Sequence, residues 1–168
     1  MVRQRGLPLL ALLCLVCVAL AAEGPAGPLS PFFEKVKDAG LPVAAWLPKD
    51  NAARIDVFSS GKVTRFAFDR EGKPAPSPSL AVYDVKALAS LKSSAEDAAR
   101  AAVARDYPQG SLVRAVTLRQ DESGMLFAAA AYDAAGKFVG THLVSAQSGI
   151  WLGWVDAVGE IDPLESKE

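Results

Sequence analysis

Tight glycine turns cut most of this chain into strand-length pieces, and no other feature restricts its fold as much. In the second half, Asp121-Glu122-Ser123-Gly124, Asp133-Ala134-Ala135-Gly136 and Ser148-Gly149 separate apolar runs at 112–119, 125–132, 138–144 and 150–155. Asp and Ser bond the turn backbone and Gly accepts the positive φ, so neighbouring runs are predicted to fold back as hairpins. The first half follows the same scheme. Runs at 43–47, 53–59 and 62–68 are punctuated by Ser59-Ser60-Gly61 and Asp69-Arg70-Glu71-Gly72. Ile55 and Val57 alternate with Arg54 and Asp56, as in a strand with two unlike faces. Pro74, Pro76 and Pro78 then interrupt any ladder, because proline offers no N–H. A short edge strand at 80–85 and a single helical turn at 87–91 are predicted after them.

Two segments read as helices. Ser30-Pro31 is a helix start, with Phe32, Phe33 and Val36 on one face and Gly40 and Pro42 ending it. Ser93 or Ser94 opens a second, with Glu96 or Asp97 as its capping-box partner. Its apolar stripe runs through Ala95, Ala98, Ala99, Ala102, Val103 and Tyr107, up to Pro108-Gln109-Gly110. The halves also look alike: Gly61-Lys62 aligns with Gly136-Lys137 and, allowing a small insertion, Gly72 with Gly149. A duplicated unit is predicted, with its two sheets adjoining.

The first 21 residues set the compartment. Arg3 and Arg5 precede an uncharged stretch from Leu7 to Leu20, and Ala19-Leu20-Ala21 offers small residues for cleavage. This is the layout of a secretory signal peptide, and it predicts a periplasmic or secreted protein. The alternative, a retained anchor, has too short an apolar stretch for a span. Cleavage after Ala21 removes Cys14 and Cys17 and leaves His142 as the single histidine. No disulfide framework is then available, so packing alone must hold the fold. The 18 Lys and Arg are scattered among 19 Asp and Glu, which argues against a nucleic-acid surface.

Catalytic chemistry is hard to place. A typical zinc site needs several converging His, Cys or carboxylate ligands. There is no G-x-S-x-G elbow, no P-loop and no strand-borne G-x-G-x-x-G. His142 falls in a strand and reads as structural. Trp151, Trp154 and Tyr132 are the candidate partner-binding residues, because large aromatics anchor interfaces. Three positions apart on a regular strand, Trp151 and Trp154 should point to opposite faces, one into the core and one outward.

Residues 93–154 resemble a PepSY domain. The resemblance rests on Ser94-Ala95-Glu96-Asp97-Ala98-Ala99 opening a helix that closes at Tyr107-Pro108, on 113–118, on Ala131-Tyr132-Asp133-Ala134-Ala135-Gly136-Lys137, and on Leu143-Val144-Ser145-Ala146-Gln147-Ser148-Gly149. Ser145 and Ser148 stand where the family usually has Asp and Thr. The resemblance implies a helix against an antiparallel sheet in an exported protein. The family is similar to regions in propeptides of secreted metallopeptidases, and it regulates activity outside the cytoplasm. It brings no catalytic residues.

The expectation is therefore an α+β protein with a helix packed on an antiparallel sheet, in two tandem PepSY-like units. The signal peptide would occupy 1–21, a flexible leader 22–29, a degenerate first unit 30–91, a second unit 92–158 and a loose acidic tail 159–168. The expected role is non-enzymatic and cofactor-free: binding and modulating an extracytoplasmic protein, with a peptidase among the candidates. The alternative is a small-ligand binder, using an apolar cleft where Ala128 to Ala131 meet the second helix.

Overall fold

The structure is a computed structural model that describes residues 24–78, 80 and 82–166. The segment read as a signal peptide lies outside these residues. Among the described residues no helix is long and apolar enough to cross a membrane.

The expected helix-on-sheet α+β architecture is corrected by the fold. The molecule is essentially one eight-stranded antiparallel sheet, ordered β4-β3-β2-β1-β5-β6-β7-β8. Its strands are β1 (Leu41–Trp46), β2 (Arg54–Ser59), β3 (Lys62–Phe68), β4 (Pro74–Ala75), β5 (Leu112–Asp121), β6 (Gly124–Tyr132), β7 (Phe138–Ser145) and β8 (Trp151–Asp156). The described helices are short: α1 (Ser30–Val36) has 7 residues, α2 (Val85–Leu88) has 4 and α3 (Ala95–Val103) has 9. The turns commit most of the chain to hairpins. The long stretch between β4 and β5 is broken by Pro76, Pro78 and the left-handed Asp106, so among the described residues it holds only α2 and α3 as helices.

Each half of the chain supplies four consecutive strands, and the halves meet where β1 pairs antiparallel with β5. Counted from Leu41 and Leu112, both seam strands carry an irregularity after their second residue, at Pro42/Ala44 and at Val113/Ala115. Their fifth residues, Ala45 and Val116, face each other across the seam. A pseudo-two-fold axis therefore passes through this pair.

The main core lies on one face of the sheet, here called the helix face. Phe33 and Val36 of α1 and Ala95, Ala98, Ala99 and Ala102 of α3 pack there against Ile55, Val57, Val116, Phe127, Ala129 and Val144. Alanine on both α3 and β6 lets the helix lie close to the sheet, and Ala128 to Ala131 are at most 2% exposed. α3 starts at Ser94, whose hydroxyl accepts from Asp97 N–H at 3.1 Å while the Asp97 carboxylate accepts from Ser94 N–H at 2.9 Å. It ends at Val103, short of Tyr107, because Asp106 takes a left-handed φ of 46°. At α1 the Ser30 hydroxyl does not cap the helix; it accepts from the Ala26 N–H at 2.9 Å. Ala26 and Leu29, expected in a flexible leader, are fully buried in this core.

The opposite, or far, face carries a smaller cluster of Ala44, Trp46, Ala115, Ala130, Tyr132 and Phe138. Two straps cross it. One is the connector through Tyr83 and α2. The other is the tail, expected to be loose, which instead bonds the sheet: Glu160 accepts from Arg119 at 2.8 Å and from Thr141 at 2.7 Å, and Asp162 accepts from the Tyr132 hydroxyl at 2.6 Å.

Candidate functional site

Between the two straps the far face opens a cleft of about 340 Å³. Its floor is Ala44, Trp46 and Thr117; Ala87 and Leu88 of α2 form one wall, and Arg119, Gln120 and Met125 close the other end. α2 is placed by its cap, since Asp84 accepts from the N–H groups of Lys86 at 3.0 Å and Ala87 at 3.3 Å. The predicted strand at 80–85 does not form among the described residues; Val85 already belongs to α2. Leu80, Val82 and Val85 instead stand exposed at 42%, 103% and 39%, and Val82 lines the cleft.

A buried ion pair anchors this side of the cleft. The Arg65 guanidinium donates to both oxygens of Asp56, at 2.6 and 2.8 Å, with both side chains sealed from solvent. The Tyr83 hydroxyl donates to the same carboxylate and pins the connector. Arg65 also lies 5.1 Å from the centre of the Trp46 ring, stiffening the cleft floor. Two buried charges of this kind are tolerated because each is hydrogen-bonded to the other in a two-pronged geometry. Sequence reasoning placed Asp56 with Arg54 on the face opposite Ile55 and Val57 and assigned it no partner. The signal was nonetheless present: the Ser60-Gly61 turn pairs Ser59 with Lys62, which places Asp56 opposite Arg65.

The predicted aromatic residues separate. Tyr132 is buried on the far face, 1% exposed, and its burial and the Asp162 carboxylate push its phenol pKa up. Trp151 and Trp154 both lie on the helix face, against the expectation of opposite faces. The pairing of β7 with β8 shifts between Leu143/Gly153 and Val144/Trp151, so Leu152 is an extra residue. Such a bulge resets the alternation and brings both indoles to one side. There they enclose His142, which is 1% exposed. Trp151 Nε1 donates to His142 Nδ1 at 3.0 Å. Trp154 meets the imidazole edge-on at 4.8 Å, Tyr107 packs on Trp154 at 5.1 Å, and Arg105 covers Trp151 at 4.2 Å. Burial lowers the His142 pKa; the Tyr107 carbonyl opposes this and the Arg105 charge adds to it.

His142 Nδ1 accepts from Trp151, and Asp56 is occupied by Arg65 and Tyr83. Among the described residues no three His, Cys, Asp or Glu side chains gather as metal ligands. Comparison with known proteins gives no match of the chain to any family model, curated protein or solved structure.

Proposed function

We propose that this is an exported, non-catalytic protein, PepSY-like in role, that binds and modulates an extracytoplasmic partner protein through the far-face cleft. The observation that carries the reading is the cleft itself: about 340 Å³, floored by a fixed tryptophan and lined by the exposed Val82. Protein interfaces draw most of their affinity from a few side chains seated in such pockets, with apolar surroundings that exclude water. A peptidase is the partner class that the resemblance favours. The basic, uncharged and small-residue layout of residues 1–21 supports export.

The test is capture of co-exported proteins by the wild type and by Ala87→Trp, which fills the cleft from α2. The expected result is a captured partner whose activity changes on binding, and loss of both effects in the variant. Equal capture by the two proteins removes the cleft from the function. A second reading, a small apolar ligand in the same cleft, is favoured by its size, since small-molecule pockets start at about 300 Å³. A ligand screen by thermal shift separates the two: a small molecule that raises the melting temperature of the wild type but not of Ala87→Trp supports the second.

A further inference from the structure

The two edges of the sheet are unlike. β4 is two residues long, begins with Pro74 and is followed by Pro76 and Pro78, so it has little to offer another strand. β8 is six residues long and contains neither proline nor lysine, two of the usual defences of an edge, and its one irregularity is the bulge at Leu152. The Ala157 N–H bonds the Val139 carbonyl across to β7. By antiparallel alternation, the main-chain groups of Trp154 and Asp156 then point away from the sheet. Around them Ile150, Leu152 and Val155 are exposed at 63%, 57% and 36%. Behind them the strand is stiff. Trp151 and Trp154 are clamped on His142, and Trp154 also fills the space above Gly140, where a Cβ would come within 2.4 Å of its ring.

We propose that β8 is an interface between two copies of this chain, paired antiparallel about a two-fold axis near Gly153. The charges single out a second copy as the occupant. Arg105 stands over Trp151 at one end of the strand, and Asp156 sits at the other end, on the same face, where it accepts from Trp154 Nε1 at 2.8 Å. Neither has an ion-pair partner among the described residues. A two-fold axis at mid-strand brings Asp156 of each copy beside the Trp151 end of the other, where Arg105 is waiting. The same rotation sets Ile150 and Leu152 of one copy against Val155 of the other. One strand thus supplies both halves of two identical ion pairs and both halves of an apolar strip, as an isologous interface requires. The sheets would join into one of twice the width. This inference is independent of the cleft, which lies on the far face.

The test is sedimentation equilibrium of the purified protein, of Leu152→Lys, and of the charge reversals Arg105→Glu and Asp156→Arg, singly and together. The expected result is a wild-type dimer. Leu152→Lys should abolish it. Each single reversal should raise the dissociation constant about tenfold or more, and the double reversal should recover most of that loss. Circular dichroism confirms that each variant is folded; Arg105, Leu152 and Asp156 are all exposed. A wild type that stays monomeric at its highest soluble concentration overturns the proposal, as does a dimer indifferent to all four variants. A monomer whose β8 crosslinks to a different captured protein also overturns it and assigns the edge to that protein. Partner capture by Leu152→Lys keeps the two readings apart, since loss of the dimer leaves the cleft intact.

Discussion

Gly140 tolerates no side chain. Its φ is +148°, and a Cβ there would lie 2.4 Å from both the Trp154 ring and the Val155 carbonyl. Gly140→Ala should cost on the order of 3 kcal/mol in a urea titration, from backbone strain plus overpacking. His142 gives a pH signature with a definite sign. Its pKa is lowered in the folded state, chiefly by burial. The unfolded chain therefore takes up a proton near the ordinary value, about 6.5, before the folded chain does. Stability contributed by neutral His142 is complete above that value and is lost as the pH falls through the folded pKa. Between about pH 7 and pH 5 the wild type should lose more stability than His142→Gln, read as urea midpoints against pH. At Asp56, replacement by Ala leaves the Arg65 charge buried and unpaired, and should cost about 3–5 kcal/mol. Replacing both residues by apolar ones of similar size should cost much less. At this scale the sequence was partly readable. The hairpin register that pairs Asp56 with Arg65 follows from the turn, but nothing local says that the face is covered. Tyr132 was chosen as a large aromatic near the tryptophans, and its burial beneath Asp162 depends on a tail some thirty residues away.

Elements were the most legible level. Asp, Ser and Gly at the turns located the strands almost residue for residue: β3 spans the 62–68 run, and β7 adds one residue to the 138–144 run. The α3 cap was legible as a choice between Ser93 and Ser94 and between Glu96 and Asp97, of which the fold uses Ser94 and Asp97. Ser94→Ala should cost about 1 kcal/mol in a urea titration, from loss of the hydroxyl arm of the capping box; the arm from the Ser94 N–H to the Asp97 carboxylate is main chain and remains. Three details were not legible, each for a physical reason. α3 stops at Val103 although the apolar stripe runs on to Tyr107, because the chain turns left-handed at Asp106 and sends Tyr107 onto Trp154. The 80–85 segment has strand-like composition but finds no neighbour, since the prolines before it have carried it off the sheet's edge. The β8 bulge at Leu152 leaves no mark in composition, so strict alternation put Trp151 and Trp154 on opposite faces.

At the scale of the molecule, the adjoining of the two halves was anticipated, but the balance of helix and sheet was not. Helix periodicity was read as though each half needed a helical layer of its own size. In the fold, 7 and 9 residues of helix suffice on one face, and two straps of irregular chain cover the other. Strap chemistry is carried by isolated carboxylates such as Glu160 and Asp162, which in sequence look like a solvated end. Asp162→Ala should leave the Tyr132 hydroxyl unsatisfied and cost about 1–3 kcal/mol, measured by chemical denaturation.

The central seam has a mechanical meaning. β1 and β5 share two register pairs, against nine between β5 and β6. Arg114 reinforces the joint from its end, donating to the Leu47 and Pro48 carbonyls at 2.9 and 2.7 Å. On one side α3 lies over it like a splint, and on the other the tail reaches across to set Leu164 beside Trp46. The short ladder in the joint between the halves is thus backed on both faces, by one continuous core beneath α3 and by the tail on the other side. The two halves are held as one body by burial more than by main-chain bonds.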